Sequence, residues 1–289
     1  MAVVSKNLFT YNNLIHAVSG AVGSMLGMVV FYPLDTVRSR LQLEERRRSK
    51  NSFKIMKDLI REEGFSTLYR GIVPVLQSIC VSNFVYFYVY HGLKKSFPHK
   101  KNMELLFATL AGVINVLLTS PLWMVNTRMK MAGINNEVGY KNLLEGLVIV
   151  SQTEGCSALW SGSIPSLVLV SNPAIHMAVY EFLKKQTKSD TALSYFVFSA
   201  ISKVAATILT YPVQLAQAKQ RHRNSEYEDQ DMIKILLYII RKDGLNGLFK
   251  GMEAKILQTV LTTALMFTCY EKIAAFVFQL MAYRKPVKG

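Results

Sequence analysis

The sequence predicts an all-α membrane protein: six transmembrane helices in three repeated units, with short interfacial helices in the connecting loops. Three observations carry this prediction. Apolar windows of about 20 residues, the length that spans a hydrocarbon core, recur at 14–34, 74–92, 103–125, 164–183, 192–215 and 254–281. A proline signature returns three times at a period of about ninety residues, as YPLDTVRSR at 32–40, SPLWMVNTR at 120–128 and YPVQLAQAK at 211–219. Between the two windows of each unit lies an amphipathic segment closed by glycine.

The windows come first. Hydrophobic residues make up 51% of the chain and mean hydropathy is +0.21, which is rich for a soluble protein. No window is purely apolar: LIHAVSGAVGSMLGMVVFYPL, at 14–34, holds His16, two serines and three glycines. That mixture suits a helix with lipid on one side and water on the other. GAVGSMLG within it lacks the lysine and the spacing of a phosphate loop.

The repeat has two further signatures. About thirty residues after each proline come EEGFSTLYRG (62–71), TEGCSALWSG (153–162) and KDGLNGLFKG (242–251). About nineteen residues later come YHGLK (90–94), YEFLK (180–184) and YEKIA (270–274). One domain of three copies, at approximately 13–100, 101–190 and 191–282, therefore fills the 289 residues. The loop segments FKIMKDLIREEG, YKNLLEGLVIVSQTEG and MIKILLYIIRKDG, at 53–64, 140–155 and 232–244, are expected to lie along one membrane face.

Each proline removes a backbone donor and clashes with the preceding turn, so Pro33, Pro121 and Pro212 are expected to kink the odd-numbered helices. Thirteen, ten and six residues before them stand Gly20, Gly23 and Gly27, then Ala108, Ala111 and Asn115, then Ser199, Ser202 and Ala206. Small faces of this kind let helices approach in lipid.

Charge and reactive side chains narrow the function. The chain carries 34 basic and 19 acidic residues, a net +15, which suits nucleic acid, anionic lipid or an anionic small substrate; residence in a membrane disfavours nucleic acid. Cys80, Cys156 and Cys269 are too few and too scattered for a disulfide framework or a metal pair, and the five histidines have no ligand spacing. No catalytic residues, no metal site and no bound cofactor are expected. MAVVSKNLFTYNN shows neither a basic presequence nor a signal peptide, so targeting information is expected to be internal. The basic RRRSK at 46–50 can contribute to it or simply be a solvated loop.

Polar residues inside the windows are costly unless they bond something or face water. Lys203, nine residues before Pro212, and Lys255, about four turns before Glu271, together can hold phosphate; snorkelling toward the interface is the alternative for each. Asn83 and Asn172 stand alike in SNF and SNP, either facing substrate or bonding between helices. Tyr86 and Tyr88 in NFVYFYVY offer a stacking face, or pack on lipid.

PLDTVRSRLQ, EEGFSTLYRG and YEFLKK resemble the mitochondrial carrier family, whose pattern sets an acid two residues, and bases five and seven residues, after each proline. The resemblance covers about 13–272 and implies six tilted helices around a pseudo-threefold axis. It also implies a central substrate site, termini toward the cytosol, and gates that open alternately. NFVYFYVY, NVLLTSPLWMVNTRMK, SNPAIHMAVYEFLKK and GMEAKILQTVLTTALMF are similar to a peroxisomal branch of that family. That branch implies antiport of CoA, FAD, FMN and NAD, as cargo, against AMP, ADP or adenosine 3',5'-bisphosphate. It implies a multi-pass protein of the peroxisomal membrane, with membrane lipids and peroxisomal import machinery as partners. A carrier of ATP and ADP in the mitochondrial inner membrane, and a non-transporting receptor on the same fold, are the rival readings.

Within that frame the gates depart from the family pattern. Toward the lumen, Asp35 and Arg38 are matched by Trp123 and Asn126 and by Gln214 and Gln217, so three salt bridges cannot form. Asp35 and Arg38 are expected to bond amides of the neighbouring copies, or water, while Trp123 packs the gate or anchors at the interface. Toward the cytosol, Lys94 and Lys184 can meet Glu181 and Glu271, with His91 in the unpaired set. Between the gates, registering the even helices on their tyrosines places Ser78, Val168, Leu169, Gln258 and Thr259 at the level where such carriers hold substrate.

Overall fold

The computed structural model describes residues 25–44, 51–96, 103–131, 139–187, 191–222 and 231–265. These are helical throughout, apart from turns and caps. Helix α1 (Tyr32–Leu43) follows a helical stretch at 25–30 and a turn at Phe31. Then come α2 (Ser52–Glu63), α3 (Ile72–Ser96), α4 (Glu104–Met131), α5 (Leu143–Thr153), α6 (Ser163–Leu169), α7 (Asn172–Gln186), α8 (Ala192–Arg221), α9 (Met232–Asp243) and α10 (252–265). Among the described residues four stretches, 65–96, 104–131, 156–186 and 194–221, are long and apolar enough to cross a membrane. They leave Phe84, Leu105, Met177 and Leu209 exposed, Phe84 at 70%. In lipid such a belt is the outer surface.

The copies repeat in detail. After each loop helix (α2, α5 or α9) a glycine opens a single 3-10 turn, at Phe65–Tyr69, Cys156–Trp160 or Leu245–Phe249. Gly64, Gly155 and Gly244 have φ between 70° and 89°, a left-handed conformation that side chains with a β-carbon rarely adopt. Asn51 and Asn142 cap α2 and α5 by accepting backbone N–H bonds at their side-chain oxygens. Each loop helix packs its apolar stripe on the last turns of the preceding odd-numbered span. The three small cores are Val37, Leu41, Ile55 and Leu59; Met124, Val125, Leu143 and Val150; and Leu215, Ala216, Ile235 and Ile239.

Buried ion pairs fasten the same ends. Arg40, seven residues past Pro33, reaches Glu44 at 2.7 Å and Glu63 at 2.8 Å. Arg128, seven past Pro121, takes both oxygens of Glu154, at 2.6 and 2.7 Å.

Three differences from the expected spans have local causes. The windows end at 125 and 215, whereas α4 and α8 continue to Met131 and Arg221. A helix proline costs one backbone bond and does not stop a helix whose last turns are held by a loop helix. The carbonyl that Pro121 orphans, Leu117 O, accepts a bond from Trp160 Nε1 at 2.9 Å instead. The fourth span, expected unbroken at 164–183, divides into α6 and α7 around Val170 and Ser171. Pro173 has no N–H to bond the Leu169 carbonyl and sits in the first turn of a new helix, and between the two helices the chain tightens to bonds from Val170 N to Leu167 O and from Ser171 N to Val168 O.

The described residues fall in two compact units, 33–256 and 25–32 with 257–265. In the first, α3 packs along α4, α7 along α8, and α6 lies against both α4 and α8. Polar groups make the contacts between helices: Ser82 and Asn115 bond each other at 3.0 Å, and Asn172 Nδ2 donates to Thr210 Oγ1 at 2.8 Å. Gly112 lies so near α6 that a β-carbon there would meet Val170 Cγ1 at 2.8 Å. In the second unit, a β-carbon on Gly27 would meet Thr262 Cγ2 at 2.9 Å. Gly20, Gly23 and the remainder of the first and last spans lie outside the described residues.

Because Arg128 is buried and Glu154 is its carboxylate partner, Glu154→Ala is expected to cost about 2–3 kcal/mol. Glu63→Ala is expected to cost about 1 kcal/mol, since Arg40 keeps Glu44. Thermal unfolding of the purified variants in detergent checks the difference.

Candidate functional site

The polar groups of 33–256 concentrate where α1, α4 and α8 pass their prolines. Asp35 pairs with Lys130 of α4. Arg38 Nη2 donates to Gln214 Oε1 of α8 at 2.9 Å, and its guanidinium stands 5.7 Å from the Tyr211 ring centre. Gln214 in turn donates from Nε2 to Thr210 Oγ1 at 3.0 Å. Asn126 Nδ2 donates to Ser78 Oγ at 2.6 Å, and Gln217 Nε2 to Ser166 Oγ at 2.7 Å. The first copy thus meets the second by an ion pair and the third by a charged hydrogen bond. The two amides tie α4 to α3 and α8 to α6.

The expectation that Asp35 would bond an amide or water is corrected: its partner is an ammonium. Lys130 lies nine residues past Pro121, one helical row beyond the positions the proline signature specifies, and so escaped the motif. The same row reads Gln42 in the first copy and Arg221 in the third. Comparing the three copies past the last base of the signature would have found it. Ser166, a hydrogen-bond acceptor for both Gln217 and Arg221, carries no sequence signal.

Lys255, on α10, is half-buried and lies within electrostatic reach of Arg38, Lys130, Lys203 and Asp35. Asp35 in turn is within reach of Lys130, Arg38 and Lys255, so three cations share that carboxylate. Lys203 is exposed, and the structure does not bring it into hydrogen-bonding contact with Lys255. Ser78 is buried under Asn126, Val168 is exposed, and Leu169, Trp123, Gln217 and Tyr86 line a cavity of about 450 Å3 among α3, α4, α6, α7 and α8. Tyr86 stacks on Tyr90 with centroids 6.2 Å apart. Asn172 bonds Thr210 between helices, whereas Asn83 is exposed. Gln258 and Thr259 belong to the other unit; Gln258 is buried and Thr259 half-buried.

At the opposite ends of the spans Lys94 does not meet Glu181 as expected. Lys94 bonds Glu104 at 2.7 Å, Lys184 sits over the Tyr195 ring at 5.2 Å, Glu181 is exposed, and His91 stacks on Phe87. Glu271 lies outside the described residues. Just beyond α8, burial and the neighbouring Lys219 and Arg128 hold the His222 imidazole down to about 4, which keeps it neutral beside these cations at physiological pH.

Long apolar helices with exposed apolar side chains, and polar groups gathered near the prolines, define a multi-pass membrane protein. The family model for mitochondrial carrier proteins matches residues 9–101, 102–191 and 188–280, and the chain belongs to that family. It is 43% identical to the mouse (Mus musculus) peroxisomal membrane protein PMP34, over 98% of this chain and 99% of that one. It is 30% identical to the peroxisomal nicotinamide adenine dinucleotide carrier of Arabidopsis thaliana, covering 90% and 95%. Peroxisomal adenine nucleotide carrier 1 of Glycine max is 32% identical, covering 93% of each. The chain is a transporter, not an enzyme, and a multi-pass protein of the peroxisomal membrane.

Charge reversal tests the first seam. Asp35→Lys is expected to lower transport at least tenfold by setting two cations against each other, and Asp35→Lys with Lys130→Asp to restore most of it. Initial uptake rates in reconstituted vesicles check the recovery.

Proposed function

We propose that the protein exchanges adenine-containing cofactors (CoA, FAD, FMN and NAD) for adenine nucleotides such as AMP, ADP or adenosine 3',5'-bisphosphate. The observation that carries this is the excess of cation beside Asp35: Lys255, Arg38 and Lys130 lie within reach of that carboxylate, and Lys203 within reach of Lys255. Cations within a membrane protein need an anion or water, and a phosphate or pyrophosphate supplies the anion. The named cargoes of the Arabidopsis and Glycine relatives, NAD and adenine nucleotides, support the same reading. No bond in the cargo is made or broken. Coupling arises because an empty site leaves these cations unbalanced and resists the change of gate, so an outgoing anion must be replaced by an incoming one.

The gates follow from the same residues. With the Asp35–Lys130 and Arg38–Gln214 contacts made, the loop-helix end is the closed one. When it opens, Lys94 and Lys184 exchange their present neighbours for Glu181 and Glu271. Charge reversal at Lys94 or Glu181 is therefore expected to change exchange kinetics.

Liposomes holding the purified chain and loaded with AMP provide the test, with uptake of CoA, FAD, FMN, NAD and ADP measured in turn. Saturable uptake that requires internal nucleotide is expected; no uptake of any adenine-containing anion would falsify the proposal. Removing one charged contact to phosphate costs about 1.5–3 kcal/mol, so Lys255→Ala and Lys203→Ala are expected to lose on the order of 10- to 100-fold in uptake at low substrate. Unchanged uptake in both would remove them from the site and leave the exchange reading standing.

A further inference from the structure

The position nine residues past each helix proline behaves differently in the three copies. Gln42 donates Nε2 to Tyr211 Oη of the third copy at 3.0 Å, and Lys130 pairs with Asp35 of the first. By the same rotation Arg221 belongs opposite the second copy, where the residue equivalent to Asp35 is Trp123. Arg221 is only 8% exposed. Its Nη2 donates to Ser166 Oγ at 2.8 Å, its Nε has no hydrogen-bond partner, and among the described residues no carboxylate pairs with it. A buried guanidinium without a counter-charge is among the most costly groups a membrane interior can hold.

Arg221 does not sit in a closed packing defect. It lines the cavity of about 450 Å3, within the range of small-molecule sites, beside Gln217, Ser166, Ser120 and Trp123. Arginine supplies planar, paired donors for a phosphate, the second N–H of the Gln217 amide adds a neutral one, and the Trp123 indole gives an aromatic ring a face to lie on.

We propose that this cavity is a phosphate subsite for the transported anion, in which the cargo's phosphate stands toward Arg221 as the Asp35 carboxylate stands toward Lys130. The subsite rests on the exchange function proposed above and adds to it a place and an orientation. The seam between first and second copies carries its own acid; the seam between second and third is completed by cargo. A bound phosphate then ties α8 to α4 and α6 as the ion pair ties α1 to α4. The replacement of acid by tryptophan is thus a specificity device: it vacates the charge position and supplies a surface for the base.

Thermal unfolding of the purified chain in neutral detergent reads the subsite directly, with AMP as the probe and adenosine as the same base without phosphate. AMP is expected to raise Tm and adenosine to leave it nearly unchanged. Arg221→Gln is expected to abolish the AMP shift and raise the KM for AMP exchange at least tenfold, and Arg221→Lys to keep part of both. Trp123→Asp restores the missing carboxylate: Tm without ligand is expected to rise and the AMP shift to vanish, an outcome readable even if Arg221→Gln folds poorly. An AMP shift of full size in Arg221→Gln, or a Trp123→Asp protein that AMP stabilises as before, overturns the subsite. So does an Arg221-dependent shift produced by phosphatidylglycerol and not by AMP, which would make the site one for a lipid headgroup. Full exchange by the Arg221→Gln protein at unchanged KM removes the subsite alone, whereas a wild-type chain that exchanges no adenine nucleotide removes the function it rests on.

Discussion

The buried ion pair between an odd-numbered span and the end of its loop helix is the constraint on which the first two copies depend. In the second copy it is the bidentate bond of Arg128 to Glu154; in the first, Arg40 divides itself between Glu44 and Glu63. A guanidinium taken out of water demands such a partner, and the demand is directional. It carries the loop helix to the end of the span, lays its apolar stripe on the turns beyond the proline, and sets where the next span begins. Within lipid the spans gain nothing from hiding oil from water, so this polar fastening and the small cores beside it supply what hydrophobic burial supplies in a soluble bundle.

The prolines gain their meaning from that fastening. A helix interrupted only at Pro121 would leave the Leu117 carbonyl unsatisfied at membrane depth. Here the turn after the loop helix delivers Trp160 to that carbonyl, so the residue that breaks the backbone ladder and the residue that mends it come from either side of the loop helix.

Much of the architecture was legible in the sequence because it is written three times. The windows, the proline signatures and the glycine-closed amphipathic segments each mark an element, and α2, α5 and α9 lie within a few residues of the segments at 53–64, 140–155 and 232–244. Periodicity does not reach single events. The break between α6 and α7 came from one proline, Pro173, inside a window that hydropathy leaves seamless. The site was less legible for the same reason. Asp35, Arg38, Gln214, Asn126 and Gln217 were visible because they occupy a repeated pattern, although which residue each would touch was not. Lys130 and Arg221 lie one helical row past the pattern's end, and Ser166 is an unremarkable hydroxyl until the fold sets it below two donors. A repeat displays what its copies share; the asymmetry that distinguishes one cargo from another resides in what they do not share.

The chain contains two tryptophans, and the fold assigns them different surroundings. Trp123 borders the cavity, while Trp160 is 44% exposed, beside the likewise exposed Leu117 of an apolar span. Their emission therefore comes from two solvents. A water-soluble quencher entering with the cargo reaches the first indole, and a brominated or spin-labelled lipid tail reaches the second. The protein carries a native pair of optical probes, one for the interior and one for the bilayer, that can follow a turnover without any dye being attached.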